Sequence, residues 1–151
     1  MRYDQWIEKG FEDNGMTNMR TRNKDILVHN NRKILSAGNP IALVESENTG
    51  RASNLSEDNF KGLPHSLYLC VGSKVVLTKN MLTVGLSNGS TGEVMEIFYH
   101  SNKPPPALPK FVFVDFKTQY TGPSFFPNDP SRRGWFPVHP VECKCFTPNQ
   151  R

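Results

Sequence analysis

The segment Gly85–Val94, GLSNGSTGEV, contains residue types that could bind a phosphate group, because its glycines allow close backbone approach and its hydroxyls can form hydrogen bonds. A P-loop needs four residues between its glycines and then Lys-Ser/Thr. Here three residues separate Gly85 from Gly89, no lysine follows, and the next residues have the β-branched and aromatic composition of a strand. Asn88-Gly89 instead predicts a tight hairpin turn of the primed type, since Asn and Gly tolerate positive φ.

A second set of chemically competent residues lies near the C-terminal end. Cys143, Cys145 and His139 could supply three zinc ligands. Structural zinc sites usually take four ligands with a Cys-x-x-Cys-like spacing, whereas residues two apart simply share one face of an extended segment. Three cysteines in a chain without a secretory signal favour free thiols. We therefore predict neither a metal site nor a catalytic group, and we expect Asp115 on the solvent face of a strand.

Positive charge is concentrated in the second half of the chain. Residues 1–62 contain nine Lys/Arg and nine Asp/Glu, and residues 63–151 contain nine and five, so the excess of four lies in the second half. Residues 71–91 contain Lys74 and Lys79 and no acidic residue. A polyanion would meet positive potential there, although a surplus of four is also compatible with ordinary solubilising charge.

Two further residue sets could contact nucleic acid. Asn23 and Asn30 lie in a predicted helix, where an amide can contact a phosphate backbone or can merely cap and solvate the helix. An aromatic cluster near Arg132 and Arg133 could stack on unpaired bases or could form part of the core. The cluster consists of Tyr120, Phe125, Phe126, Trp135 and Phe136.

The elements that must position these residues follow from local pattern. Residues 4–11 predict a short helix and residues 16–20 a strand. The stretch TRNKDILVHNNRKILSAG, residues 21–38, predicts a helix with Thr21 or Asn23 as its N-cap and with an apolar stripe that Asn30 interrupts. The apolar run PIALVE follows, so the chain begins in a βαβ-like manner. No apolar run approaches the ~20 residues that a membrane span needs, and the N-terminal residues do not form a secretory signal, so we expect an intracellular protein.

Residues 46–62 are rich in turn-forming residues and are predicted to form a linker. After them the sequence predicts five short strands at a spacing typical of a small twisted barrel. Their sequences are LYLCV, KVVLTKN, EVMEIFY, FVFVDF and GWFPVHPVECKCF. The fold class is therefore α+β.

Taken together, the motifs resemble the PIF-type (petite integration frequency) DNA helicases, which are related to RecD-like helicases. The stretch GSKVVLTKNMLTVGLSNGSTGEVMEIFYH resembles the family's G-A-x-V-M-L-x-x-N…G-L-V-N-G-x-x-G-x-V motif. PPPALPKFVFVDFKTQYTGPSF and WFPVHPVE resemble its continuation, and RNKDILVHNNRKI resembles its T-N-x-x-V-x-x-x-N-x-x-K-L motif. Arg22 and Ser87 depart from the family's usual threonine and valine, and the second departure suggests a looser hairpin.

The resemblance implies a division of the chain. Residues 1–45 would be an incomplete RecA-like portion of the motor, residues 63–147 a five-stranded Src-homology-3-like barrel of the 2B type, and residues 148–151 a tail. In the family this barrel helps to hold single-stranded DNA. The DNA-proximal residues that the resemblance implies are Asn23, Asn30, Lys79, Asn80 and Asn88.

The family hydrolyses ATP with magnesium and moves 5′ to 3′ along DNA, but its P-loop and magnesium-binding acids lie upstream of the matched region. The resemblance therefore implies a truncated piece that binds single-stranded DNA, needs the remainder of the motor as its partner, and neither hydrolyses ATP nor unwinds DNA alone. It also implies a nuclear location and roles in DNA repair, recombination and telomere maintenance. Two alternatives remain open: a free-standing barrel that binds a protein partner, and a metal enzyme that uses Cys143, Cys145 and His139.

Overall fold

The computed structural model of the chain describes residues 23–36, 38–49, 55, 57–60 and 63–143. The chain divides into two compact units, residues 1–33 and residues 34–151, and each is described by itself. The helix predicted at residues 4–11, the strand predicted at residues 16–20 and the C-terminal tail lie outside the described residues.

Helix α1, Asn23–Ser36, confirms the predicted helix. Gly38, two residues beyond its end, has a φ of 70°, a left-handed conformation that glycine adopts at low cost and that commonly ends helices. Asn23 is the first residue of the helix, and Asn30 lies in its middle with an exposed side chain. No helix among the described residues is long and apolar enough to cross a membrane.

Six strands follow the helix within the described residues and form two antiparallel sheets. In the first sheet β1 (Ile41–Glu45) pairs with β2 (Ser66–Cys70). The second sheet has the order β3-β4-β5-β6 and is a meander in which each strand pairs with the next. Its strands are β3 (Lys74–Val76), β4 (Thr91–Phe98), β5 (Phe111–Asp115) and β6 (Trp135–Val138).

Strand β1 confirms the apolar run that was predicted after the helix, and its partner is the antiparallel β2, with Ile41 opposite Cys70. The sequence-based division placed β1 in the motor portion and β2 in the barrel, because an apolar run does not show which strand it pairs with. The division of the chain at residue 45 stays a prediction.

The α+β class is confirmed, and each of the five predicted β segments contains a strand. Four of them form the meander and the first belongs to the other sheet, so the described strands do not close into a single barrel. A bulge between Val94 and Glu96 bends β4.

The two sheets of residues 34–151 share one hydrophobic core. Strands β1 and β2 contribute Val44 and Leu69, and alternation along β5 buries Val112 and Val114 while its other residues remain partly exposed. The remaining buried members are Leu77, Leu86, Val94, Phe116 and Tyr120. This core holds the connections between the strands in place, including the one that carries the candidate site.

Candidate nucleic-acid interface

The connection between β3 and β4, residues 77–90, carries three of the residues predicted to lie near DNA. Its two ends are joined by a hydrogen bond from the Leu77 N–H to the Ser90 carbonyl at 2.8 Å. A second closure occurs inside it, where Met81 and Leu86 form an isolated β-bridge. Leu86 is fully buried, so the middle of the connection is anchored in the core while its outer residues reach solvent.

The predicted turn at Asn88-Gly89 is confirmed. The Ser90 N–H donates to the Ser87 carbonyl at 2.9 Å, and Gly89 has a φ of 94°. Among the described non-glycine residues only Lys117 has a positive φ, so Asn88 does not, and the predicted primed turn is wrong. The difference arises because the turn ends a 14-residue connection rather than joining two strands directly.

The same segment does not fit the triphosphate and magnesium that a P-loop would hold. Thr91 begins strand β4, whereas a P-loop leads into a helix whose N-terminal amides face the phosphates. The Ser87 N–H is also already engaged, since it donates to the Ser90 hydroxyl at 3.0 Å. No step of ATP chemistry is therefore assigned to this segment.

The structure brings Asn80 and Asn88 together. The Asn88 N–H donates to Asn80 Oδ1 at 2.8 Å, so the Asn80 side chain holds the turn in place. The sequence motifs indicate Asn80 as a residue near DNA and give no sign of this internal hydrogen bond. Its amide nitrogen remains exposed and can still donate to a ligand.

Lys79 lies one residue before Asn80, and Lys79, Asn80 and Asn88 are all exposed. It makes no ion pair with any described residue. Because residues 71–91 contain no acidic side chain, its ammonium group is not neutralised by neighbours along the chain. The outer edge of the connection therefore presents one cation and two amides to solvent.

Asn23 and Asn30 belong to the other compact unit, residues 1–33. Asn30 has an exposed side chain on α1, which is compatible with a contact to DNA and equally with simple solvation. Their role near DNA stays a prediction.

The predicted aromatic cluster is split into two groups by the sheet. Tyr120, Phe125 and Phe136 pack against one another with centroid distances of 5.3–6.5 Å. Phe126 and Trp135 pack on the other face. Tyr120 and Trp135 are buried and only Phe125 of the five is exposed, so most of the cluster is packed rather than open for base stacking.

Arg132 and Arg133 flank this cluster but have different surroundings. The Arg132 guanidinium lies 4.6 Å from the Trp135 ring centroid, and its Nε lies 3.1 Å from Asp129 Oδ2. Ser131 donates two hydrogen bonds to Asp129 Oδ1, and these bonds hold the pKa of Asp129 below its usual value. Arg132 is thus held by the ring and by an ionised carboxylate.

Of the residues in the zinc hypothesis, His139 Nδ1 lies 3.3 Å from the Lys110 carbonyl oxygen, and Cys143 is partly exposed. Cys145 lies outside the described residues. Asp115, partly exposed as expected, accepts the Lys117 N–H on Oδ1 at 2.8 Å and caps a turn at the end of β5.

Comparisons of the chain with protein-family models, with curated proteins and with solved structures found no match.

Proposed function

We propose that this chain is part of a PIF-type DNA helicase and that the connection between β3 and β4 binds its single-stranded DNA. The sequence motifs support the family, and two small antiparallel sheets around one core agree with the small β-rich unit that the family's motifs imply. The observation that carries the binding role is Lys79, which is exposed, forms no ion pair with a described residue and lies beside the Asn80–Asn88 hydrogen bond. Single-stranded DNA and the remainder of the motor are the partners in this proposal.

Electrostatic attraction between Lys79 and phosphate would drive this binding. A strand of nucleic acid gains affinity when a cation neutralises a phosphate and releases condensed counterions. The local absence of acidic side chains preserves the potential of Lys79, and exposed amides can donate to phosphate oxygens without reading sequence. The proposal therefore predicts salt-sensitive binding with little sequence preference.

Binding is measured by fluorescence anisotropy with a labelled oligothymidylate at several salt concentrations. Lys79→Ala should weaken binding and reduce the slope of log K against log[salt] by about 0.7, the contribution of one phosphate on a single strand. Lys110→Gln provides the control, because Lys110 is also an exposed lysine but lies outside this connection, immediately before β5. An unchanged affinity and slope for Lys79→Ala would remove Lys79 from the interface.

The alternative is that residues 34–151 bind a protein partner. It is favoured by Phe98, which is 40% exposed and stacks on Phe111 with the ring centroids 4.8 Å apart. Such a contact does not require phosphate. No salt-sensitive binding of the oligothymidylate at micromolar protein would contradict the DNA proposal and favour this alternative.

A further inference from the structure

A groove of about 470 Å³ lies beside the end of β5. Its walls come from two segments, residues 115–121 and residues 131–134. The side chains that matter for its chemistry are Asp115, Lys117, Thr118, Thr121 and Arg133. These five side chains supply two cations, two hydroxyls and one carboxylate. The hydroxyls of Tyr120 and Ser131 also line the groove but already donate to the Pro123 carbonyl and to Asp129.

Tight backbone contacts hold the two walls together. The Phe116 N–H donates to the Gly134 carbonyl at 3.0 Å. A methyl group added at Gly134 would lie 2.6 Å from Lys117 N, so only glycine allows this approach. Lys117 has a φ of 54°, a left-handed conformation that is unfavourable for a non-glycine residue, and its N–H donates to Asp115 Oδ1 at 2.8 Å. The backbone of the two walls is therefore held in one arrangement at Lys117 and Gly134.

The charges in the groove are available to a ligand. Neither Lys117 nor Arg133 forms an ion pair with a described residue, in contrast to Arg132. The Arg133 guanidinium lies 5.6 Å from the Tyr120 ring centroid, a contact that orients it without using its N–H donors. One oxygen of Asp115 is already engaged by the Lys117 N–H. The groove therefore favours an anion.

The groove adjoins the connection that carries Lys79. The Thr121 N–H donates to the Val84 carbonyl at 3.0 Å, and Gln119 Nε2 donates to the Thr91 carbonyl at 3.2 Å. A methyl group at Gly85 would lie 2.5 Å from Thr121 Oγ1, which shows how closely the two segments pack. A chain of phosphates that contacts this connection can therefore continue into the groove.

We propose that this groove binds a phosphodiester group of the single strand, at a second position besides Lys79. Lys117 and Arg133 neutralise the phosphate, and the hydroxyls of Thr118 and Thr121 donate to its oxygens. The phosphate occupies the groove and no bond is made or broken. This inference rests on the proposed function, and it adds a site that the sequence motifs did not indicate.

The test uses the double variant Lys117→Asn/Arg133→Gln in the full chain. Asn is chosen at position 117 because it tolerates positive φ better than Ala or Gln. In the oligothymidylate titration the double variant should bind more weakly than the wild type, and its slope of log K against log[salt] should be smaller by about 0.7. Adding Lys79→Ala to the double variant should reduce that slope by about 0.7 again. Arg133→Gln alone should retain the fold and give a smaller loss in the same direction, and Lys110→Gln should behave as the wild type.

The outcomes separate this inference from the proposed function. If the wild type binds and only Lys79→Ala weakens binding, the groove inference is overturned and the proposed function stands. If the wild type does not bind the oligothymidylate, the proposed function fails. Inorganic phosphate is then titrated while backbone amide resonances are followed by NMR. Saturable shifts at Thr118 and Gly134 would assign the groove to a small phosphate compound and overturn the nucleic-acid source, and no shifts would overturn the site itself.

Discussion

Replacing Asn80 tests whether the side chain that holds the turn is distinct from the charge that binds DNA. In the wild type the Asn88 N–H donates to Asn80 Oδ1 at 2.8 Å, and Asn80→Ala removes this acceptor. A typical hydrogen bond contributes about 0.5–1.5 kcal/mol net, and this one is exposed, so water can replace the acceptor and the loss should lie near the lower end. We expect a decrease of about 0.5–1 kcal/mol in the free energy of unfolding.

Asn80→Asp separates the two roles, because a carboxylate oxygen can still accept the Asn88 N–H. The stability should therefore remain close to that of the wild type. The new negative charge, however, lies beside Lys79. Residues 71–91 contain two lysines and no acid, so the added carboxylate halves the net charge of this segment. DNA affinity should consequently fall more in Asn80→Asp than in Asn80→Ala.

Urea unfolding followed by tryptophan fluorescence gives the stability, and anisotropy with the labelled oligothymidylate gives the affinity. For a chain of this size a loss of 1 kcal/mol lowers Tm by roughly 2–4 °C, which thermal unfolding resolves. The reasoning is refuted if Asn80→Asp is destabilised as much as Asn80→Ala, because the acceptor would then be irrelevant. It is also refuted if Asn80→Asp binds DNA as tightly as the wild type.

The remaining predictions concern buried side chains and buried hydroxyl groups. Leu86→Ala should lower the free energy of unfolding by about 2–5 kcal/mol, because Leu86 is fully buried. Leu82→Ala in the same connection should change it by less than about 0.5 kcal/mol, because Leu82 is 74% exposed. Equal losses of the two variants in urea unfolding would contradict the burial of Leu86. Tyr120→Phe should cost about 1 kcal/mol, since its hydroxyl donates to the Pro123 carbonyl at 2.6 Å. Tyr99→Phe should be neutral or stabilising at neutral pH, because the buried Tyr99 hydroxyl has no partner among the described residues, and a loss as large as that of Tyr120→Phe would refute this. Burial raises the pKa of Tyr99, so as the pH rises Tyr99 loses its proton in the unfolded protein before it does so in the folded protein. The free energy of unfolding should therefore fall as the pH rises above about 10, and Tyr99→Phe should reduce that fall.

The sequence predicted the local elements well because each has a local cause. Helix α1 follows from its apolar periodicity and the glycine beyond its end, and β5 follows from the alternation in FVFVDF. The turn at Asn88-Gly89 follows from the tolerance of glycine for positive φ. None of these depends on residues far away in the chain.

The sequence was less informative about contacts between distant segments. The prediction of a primed turn was wrong because the Asn-Gly pair gives no sign of the long connection that the turn ends. That connection is closed by the hydrogen bond between Leu77 and Ser90. The aromatic cluster was divided because β5 and β6 place neighbouring side chains on opposite faces. The groove was missed because Lys117 and Arg133 are sixteen residues apart and belong to no common pattern.

The sequence by itself determined the α+β class, the helix, the positions of the short strands and the turn that precedes β4, since each depends on the properties of adjacent residues. Only the tertiary structure decided that β1 pairs with β2, that Asn80 holds Asn88, and that Lys117 lies beside Gly134. These contacts require the chain to close over many residues, and the partner at each closure is selected by how the whole core packs.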